Sequence, residues 1–238
     1  MNFKPAQAQE PGKCPKCGQP FTAENPVAPP SNDSYLVDAG VFLTTAACLA
    51  CRLAQRGVPT RYIFARLERC PDLPAAIVAK LREWSESPEG VLYLHSARPG
   101  SGKTYCATAT LAAILAAQPD RQGQALWRSE KQFTGGDADA RRTLSKSMAA
   151  CGVLCYDDLG ASASWDSQRG EIADVIGARY DGCKPTIVTS NLSLNDLAKT
   201  FDARLASRLA GDATPIEFPG VDLRLAGTIK APRRKALA

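Results

Sequence analysis

The rhythm of apolar and polar positions changes twice along the chain. Residues 1–35 carry no apolar period. Pro, Gly, Asn and Ser dominate there, and such a stretch builds no core without a covalent or metal staple. From 36 to 87 apolar residues recur at helical spacing, as Leu36, Val41 and Phe42, then Ile63, Phe64 and Leu67, then Ile77, Leu81 and Trp84, with Pro59, Pro71 and Pro74 between them. This pattern predicts short helices. Beyond Pro88-Glu89-Gly90 the texture becomes an alternation. Apolar runs at 91–95, 124–127, 152–156 and 186–189, with a weaker one at 215–218, read as strands, and 103–117, 137–150, 167–180 and 194–209 read as helices. Strands alternating with helices predict an α/β three-layer domain around a parallel sheet. The chain divides accordingly into 1–55, a helical linker 56–88, and an α/β domain 89–238.

The loop between the first predicted strand and helix reads Ala97-Arg98-Pro99-Gly100-Ser101-Gly102-Lys103-Thr104-Tyr105. It matches the phosphate-binding pattern Gly-x-x-x-x-Gly-Lys-Ser/Thr, with Ala97 in the first position, a departure that looser forms accept. Gly100 and Gly102 let the backbone curl so that N–H groups point at phosphate oxygens, and the following helix adds its positive end. Lys103 is expected to reach the β and γ phosphates of ATP, and the Thr104 hydroxyl to ligate Mg²⁺. Ala97, Pro99, Gly100, Ser101, Gly102, Lys103, Thr104 and Tyr105 make up the predicted nucleotide-binding stretch. The third run, Val153-Leu154-Cys155-Tyr156, delivers Asp157-Asp158-Leu159-Gly160. Asp157 suits the Mg²⁺ shell, and Asp158 suits polarising the attacking water. Asn191 follows the fourth strand. It could hold that water or the γ phosphate, or simply form a turn or N-cap. Arg204 and Arg208 stand four apart on one helix face, and Arg204 reads as a surface ion-pair residue.

Cys14-Pro-Lys-Cys17-Gly18 and Cys48-Leu-Ala-Cys51 form CxxC…CxxC. Four thiolates at this spacing suit tetrahedral Zn²⁺, and Gly18 permits the tight knuckle. A redox CxxC would need a thioredoxin-like βαβ context, which 1–55 lacks. Residues 1–55 therefore read as a zinc-binding module. Cys70, Cys106, Cys151, Cys155 and Cys183 read as buried small hydrophobes. The 238 residues carry a net charge of +5, compatible with nucleic acid without requiring it. No apolar run is long enough to span a bilayer, and the first residues lack a signal-peptide core. The expectation is a cytoplasmic protein with no membrane partner.

Taken in order, Gly57-Val58-Pro59-Thr60-Arg61-Tyr62, the phosphate loop, Asp157-Asp158-Leu159-Gly160, Pro185 to Leu192 and Ala206-Ser207-Arg208-Leu209 resemble the replicative helicase loaders of the DnaC/DnaI type, in the AAA+ superfamily. The resemblance covers roughly residues 57–225. It implies an AAA+ P-loop ATPase domain that hydrolyses ATP, assembles with copies of itself and binds single-stranded DNA. It also implies that the zinc module and adjoining helices grip the replicative DNA helicase. By the same resemblance Asn191 is the sensor 1 position, Arg208 an arginine finger for a neighbouring subunit's ATP site, and Arg224 a sensor 2 arginine. Phe133-Thr-Gly-Gly-Asp-Ala-Asp departs from the pattern, and Arg141, Arg142 and Lys146 nearby are the candidate DNA contacts. The ATPase partner of a transposase shares nearly the same core and is the alternative reading. The Asp-Asp motif and the placement of Arg208 argue against a small-molecule kinase.

Overall fold

The computed structural model describes residues 13–14, 16, 18–20, 48–70, 73–117, 125–135, 137–161, 166–220 and 222–223. Five strands, β1 (Val91–His95), β2 (Ala125–Ser129), β3 (Val153–Leu159), β4 (Thr186–Ser190) and β5 (Ala213–Glu217), form one sheet in the order β2-β3-β4-β1-β5. Every pairing is parallel. The helices are α1 (Leu49–Gln55), α2 (Ala75–Glu86), α3 (Lys103–Ala117), α4 (Glu130–Thr134), α5 (Ala138–Ala150), α6 (Asp166–Asp181), α7 (Leu194–Thr200) and α8 (Ala203–Gly211).

Strand side chains alternate between two cores, as a sheet covered on both faces requires. Leu92, Leu94, Cys155 and Ile187 face α1, α2 and α3, whereas Val91, Tyr93, Leu154, Tyr156 and Val188 face α4 to α8. Helix α3 is buried on nearly all sides. Its Thr108 and Thr110 are 0% exposed, and their hydroxyls donate to the carbonyls of Thr104 and Cys106, one turn back.

Two predicted helices resolve differently. Of the apolar residues Ile63, Phe64 and Leu67, only Leu67 is in a 3-10 helix, Leu67–Arg69; Ile63 and Phe64 form the turn after another, Thr60–Tyr62, and Arg66 is extended (φ −141, ψ 147) between them. The segment 194–209 is two helices, α7 and α8. Asp202 breaks it in an extended conformation, and its carboxylate accepts from the Leu205 N–H as an N-cap. Residues 36–47 of the predicted helical stretch lie outside the described residues. Cys183 does not fit the reading as a buried hydrophobe. It is exposed, at φ 48 in the turn that ends α6, while Cys70 and Cys151 are half-buried.

A buried cation ties the far end of the sheet together. Arg179 in α6 is 1% exposed. Its guanidinium donates to the carbonyls of Met148 (2.8 Å), Cys151 (2.7 Å) and Pro185 (2.6 Å) and to Thr186 Oγ1 (2.8 Å). Two of these carbonyls are at the C-terminal end of α5, where the helix leaves acceptors unsatisfied and its dipole is negative. Arg179→Ala removes these donors and leaves the carbonyls buried. It is expected to cost about 3 kcal/mol or more, read as a lower urea midpoint with an unchanged slope.

Candidate functional site

The site lies at the carboxyl ends of β1, β3 and β4, beyond which ligands bind in open parallel sheets. Its pocket is lined by Pro99 to Tyr105 together with Tyr62, Asp158, Ala161 and Asn191. Gly100 (φ 79) and Gly102 (φ 94) adopt the left-handed backbone that the curl of the loop demands. At Gly100 a side chain is excluded twice, since a Cβ there would strike the Asp222 carboxylate. The Leu223 N–H donates to the Gly100 carbonyl at 3.0 Å. Ala97 is exposed and is absent from the residues with positive φ, so a methyl group fits where the pattern has glycine. Lys103, only 5% exposed, donates from Nζ to the Arg98 carbonyl and to Ser101 Oγ, each at 3.3 Å. Its ammonium therefore lies across the loop that would receive the phosphates.

The two aspartates are presented by an irregularity in β3. Consecutive strand residues normally point to opposite faces. Here the pairing with β4 slips between Tyr156 and Leu159, and Asp158 takes φ 62. The bulge directs Asp158 into the pocket while Asp157 stays 4% exposed beneath it. Thr189 joins them: its hydroxyl donates to Asp157 Oδ1 at 2.7 Å and accepts from the Asp158 N–H at 2.9 Å. Burial pushes the Asp157 carboxyl up to about 6, and the neighbouring Asp158 pushes in the same direction. Hydrogen bonds from Thr189 and Thr104 and the charge of Lys103 oppose them. Asp157 and Thr104 are thus in contact, and both fit a hard cation that takes oxygen ligands.

Not every predicted residue is at this pocket. Arg208 lies away from it, with its guanidinium against Gly177 of α6, where a Cβ would come within 2.5 Å of Nη1. Arg141 pairs with Glu171 at 3.5 Å, and Arg142 pairs with Asp139 at 3.3 Å on the exposed face of α5. Cys17 and Arg224 lie outside the described residues. Thr189, Tyr62 and Glu130 escaped the sequence reading. Thr189 looks like one more β-branched strand residue. Tyr62 ends the 57–62 stretch that carries part of the resemblance, with no role at the pocket assigned to it. Glu130 resembles an ordinary acidic first-turn residue, yet it is 3% exposed and accepts a hydrogen bond from the Gly160 N–H.

A second cluster lies in the N-terminal part of the chain. Sγ atoms of Cys14, Cys48 and Cys51 lie within 4.8 Å of one another, all three residues buried. Tetrahedral Zn–S bonds of about 2.3 Å set sulfurs about 3.8 Å apart, and Cys14 and Cys51 are separated by 3.9 Å. Gly18, at φ 69, returns its N–H to the Cys14 carbonyl at 2.8 Å, closing the knuckle. The Cys48 N–H donates to Cys14 Sγ at 3.4 Å, as thiolates in such sites accept from the backbone. The three thiols fit zinc.

No protein-family model matches the chain, and no curated protein matches its sequence. Solved structures do match. The chain is similar to the DnaC helicase loader at 26% identity and a TM-score of 0.57, over 68% of this chain and 100% of that one. It is similar to DnaI at 21% identity and a TM-score of 0.59, over 68% and 94%. The replication initiator DnaA bound to AMPPCP and single-stranded DNA matches at 16% and 0.55, over 68% and 50%. The fold is that of an AAA+ domain, and the resemblance to DnaC/DnaI-type loaders holds in three dimensions. Among the described residues no helix is long and apolar enough to cross a membrane.

Two measurements check the site. Purified protein should contain one zinc per chain by elemental analysis, and Cys14→Ser or Cys48→Ser should lose it; stoichiometric zinc in both variants would contradict the cluster. For Asp157 the folded-state pKa is raised, so its charged form is disfavoured in the nucleotide-free protein. The penalty grows as pH rises from about 4 to about 6 and is constant above. Asp157→Asn should therefore raise the melting temperature of nucleotide-free protein at pH 8, by on the order of 2 kcal/mol in stability, with the gain fading below pH 5. An equal effect at pH 4 and pH 8 would show that Asp157 is not titrating there.

Proposed function

We propose that this protein is an ATP-dependent loader of the replicative DNA helicase onto single-stranded DNA during replication initiation, with ATP binding and hydrolysis as the assembly and release switch. The observation that carries this reading is a division of parts. Lys103, Thr104, Asp157, Asp158 and Asn191 gather at one end of the sheet, while Arg208 is held on the opposite helical layer, against α6. An arginine that stabilises the transferring phosphoryl group can come from the same chain or from another; Arg208 lies outside its own pocket, which supports the second route. The similarity to the DnaC helicase loader supports the helicase as partner, and the DnaA structure with AMPPCP and single-stranded DNA supports both ligands.

In this reading the phosphate loop wraps the β and γ phosphates of ATP. Lys103 offsets their charge, and Tyr62 and Tyr105 line the remaining wall. Thr104 and Asp157 would hold Mg²⁺, which would supply charge to offset the phosphates. Asp158 accepts a hydrogen bond from the attacking water and raises its nucleophilicity, and Asn191 fixes the water or the γ phosphate from β4. Arg208 from the next subunit stabilises charge on the transferring phosphoryl group. Loss of the γ phosphate removes the group that joins the two copies, and the assembly loosens. Arg224 would complete the site as a second sensor, and Cys17 the zinc shell. The zinc module supplies the helicase-binding surface.

Mixing of mutants tests the shared site. Lys103→Ala should abolish ATP binding, and Arg208→Ala should keep monomer ATP affinity while lowering the ATPase rate by about 10³-fold. Neither is active alone. Mixed one to one, about a quarter of head-to-tail contacts join an intact pocket to an intact arginine, and activity should return in proportion. No recovery at any ratio, with mixed assembly verified by crosslinking, would count against a site completed by a second chain.

A further inference from the structure

The turn Asp157-Asp158-Leu159-Gly160 is an unfavourable piece of backbone. Asp158 at φ 62 and Gly160 at φ 81 place two left-handed residues within three positions, immediately after a slip in the β3–β4 register. A non-glycine residue in that region costs about 1 kcal/mol or more and persists only where surrounding contacts determine it. Those contacts can be named. Thr189 Oγ1 accepts from the Asp158 N–H, and Ser190 Oγ donates to the Leu159 carbonyl at 2.7 Å, both from β4. The Ala161 N–H closes the turn on the Asp158 carbonyl at 3.0 Å. From the other flank the Glu130 carboxylate accepts the Gly160 N–H.

Glu130 is an expensive way to make that contact. A carboxylate at 3% exposure costs several kcal/mol in lost hydration unless strong hydrogen bonds restore it, and charge-assisted bonds to backbone N–H groups are of that kind. Its position is itself fixed. Glu130 begins α4, whose start is set by a capping box between Ser129 and Gln132. One turn on, Phe133 packs edge-on against the Tyr156 ring at 6.3 Å. Phe133 and Glu130, on one face of α4, thus hold the chain at Tyr156, directly before the aspartates, and at Gly160, two residues after them.

We infer that Glu130 is a positioning residue for ATP hydrolysis: by holding the Gly160 amide it keeps the bulged turn closed and Asp158 aimed into the phosphate pocket. This rests on the reading of Asp158 as the residue that polarises water. Glu130 does not line the pocket, and its bond to the Gly160 amide connects it to the turn that carries Asp158. The same contact connects the turn to α4 and, through it, to α5.

The test uses the full chain and compares Glu130→Ala, Glu130→Gln and Asp158→Asn with the double variant Glu130→Ala/Asp158→Asn. Glu130→Ala should bind ATP with unchanged affinity and show kcat lowered by about 10- to 100-fold. Glu130→Gln should recover most of the rate, because its amide oxygen still accepts from Gly160. In the double variant Glu130→Ala should add almost nothing to the loss caused by Asp158→Asn, since one acts through the other. A wild-type kcat for Glu130→Ala beside an inactive Asp158→Asn overturns the inference alone. A wild-type rate for Asp158→Asn overturns the reading of Asp158. Fully multiplicative losses in the double variant also overturn the inference, because they mean that Glu130 acts by another route. If Glu130→Ala does not fold, Glu130→Asp takes its place. Its carboxylate is withdrawn by one methylene and should slow hydrolysis where Gln does not, and equal rates for Asp and Gln overturn the inference.

Discussion

The site depends on keeping a carboxylate where water does not stabilise it. Asp157 is 4% exposed, beside a second carboxylate, and its pKa is pushed up to about 6. Buried among apolar strand residues alone it would be protonated at neutral pH. Lys103, the Thr104 hydroxyl and the Thr189 hydroxyl hold it near the threshold instead. A carboxylate in this condition gains more from a divalent cation than a solvated one does, because less hydration remains to be lost. The end of the sheet thus carries local electrostatic stress that a cation bound between Asp157 and Thr104 would relieve.

The parallel sheet and the phosphate loop were legible because each has a local cause. The stretch 91–94 is buried throughout, since helices cover both faces of the sheet, and Gly100 and Gly102 stand where left-handed backbone is needed. The division of 194–209 was in principle legible too: Asp202 three residues before Leu205 is an N-cap signal, hidden by apolar residues that keep helical spacing across the break. Less could be read where function depends on register. Whether Asp157 and Asp158 point apart or together is decided by a bulge against β4, and composition carries no trace of it. Thr189 became part of the site only when the strand order set β4 beside β3. Glu130 is thirty residues from its partner Gly160, and its burial follows from packing alone. Ile63, Phe64 and Leu67 had helical spacing without an α-helix, because inward-facing positions in a row of turns, two buried and Phe64 partly so, mimic one face of a short helix.

Helix α3 joins the two candidate sites. Its first residue is Lys103 of the phosphate loop, and near its last turn the Leu115 carbonyl accepts a hydrogen bond from Arg52 Nη2 at 3.4 Å. Arg52 belongs to α1, which begins directly after Cys48 and contains Cys51. The same segment closes the edge of the sheet, where the Arg56 carbonyl accepts from the Trp127 N–H at 2.9 Å. The cysteine cluster is therefore seated on the AAA+ domain through α1. Leu49 and Leu53 share one apolar cluster with Leu111 and Ile114 of α3. A metal held by the thiols would fix α1 and, through it, the cover of α3, so the cysteine cluster contributes to the stability of the core as well as to whatever its own surface binds. Because α3 is a rigid helix with the phosphate loop at one end and this cover at the other, the state of the pocket and the seating of the N-terminal cysteines share a single structural element.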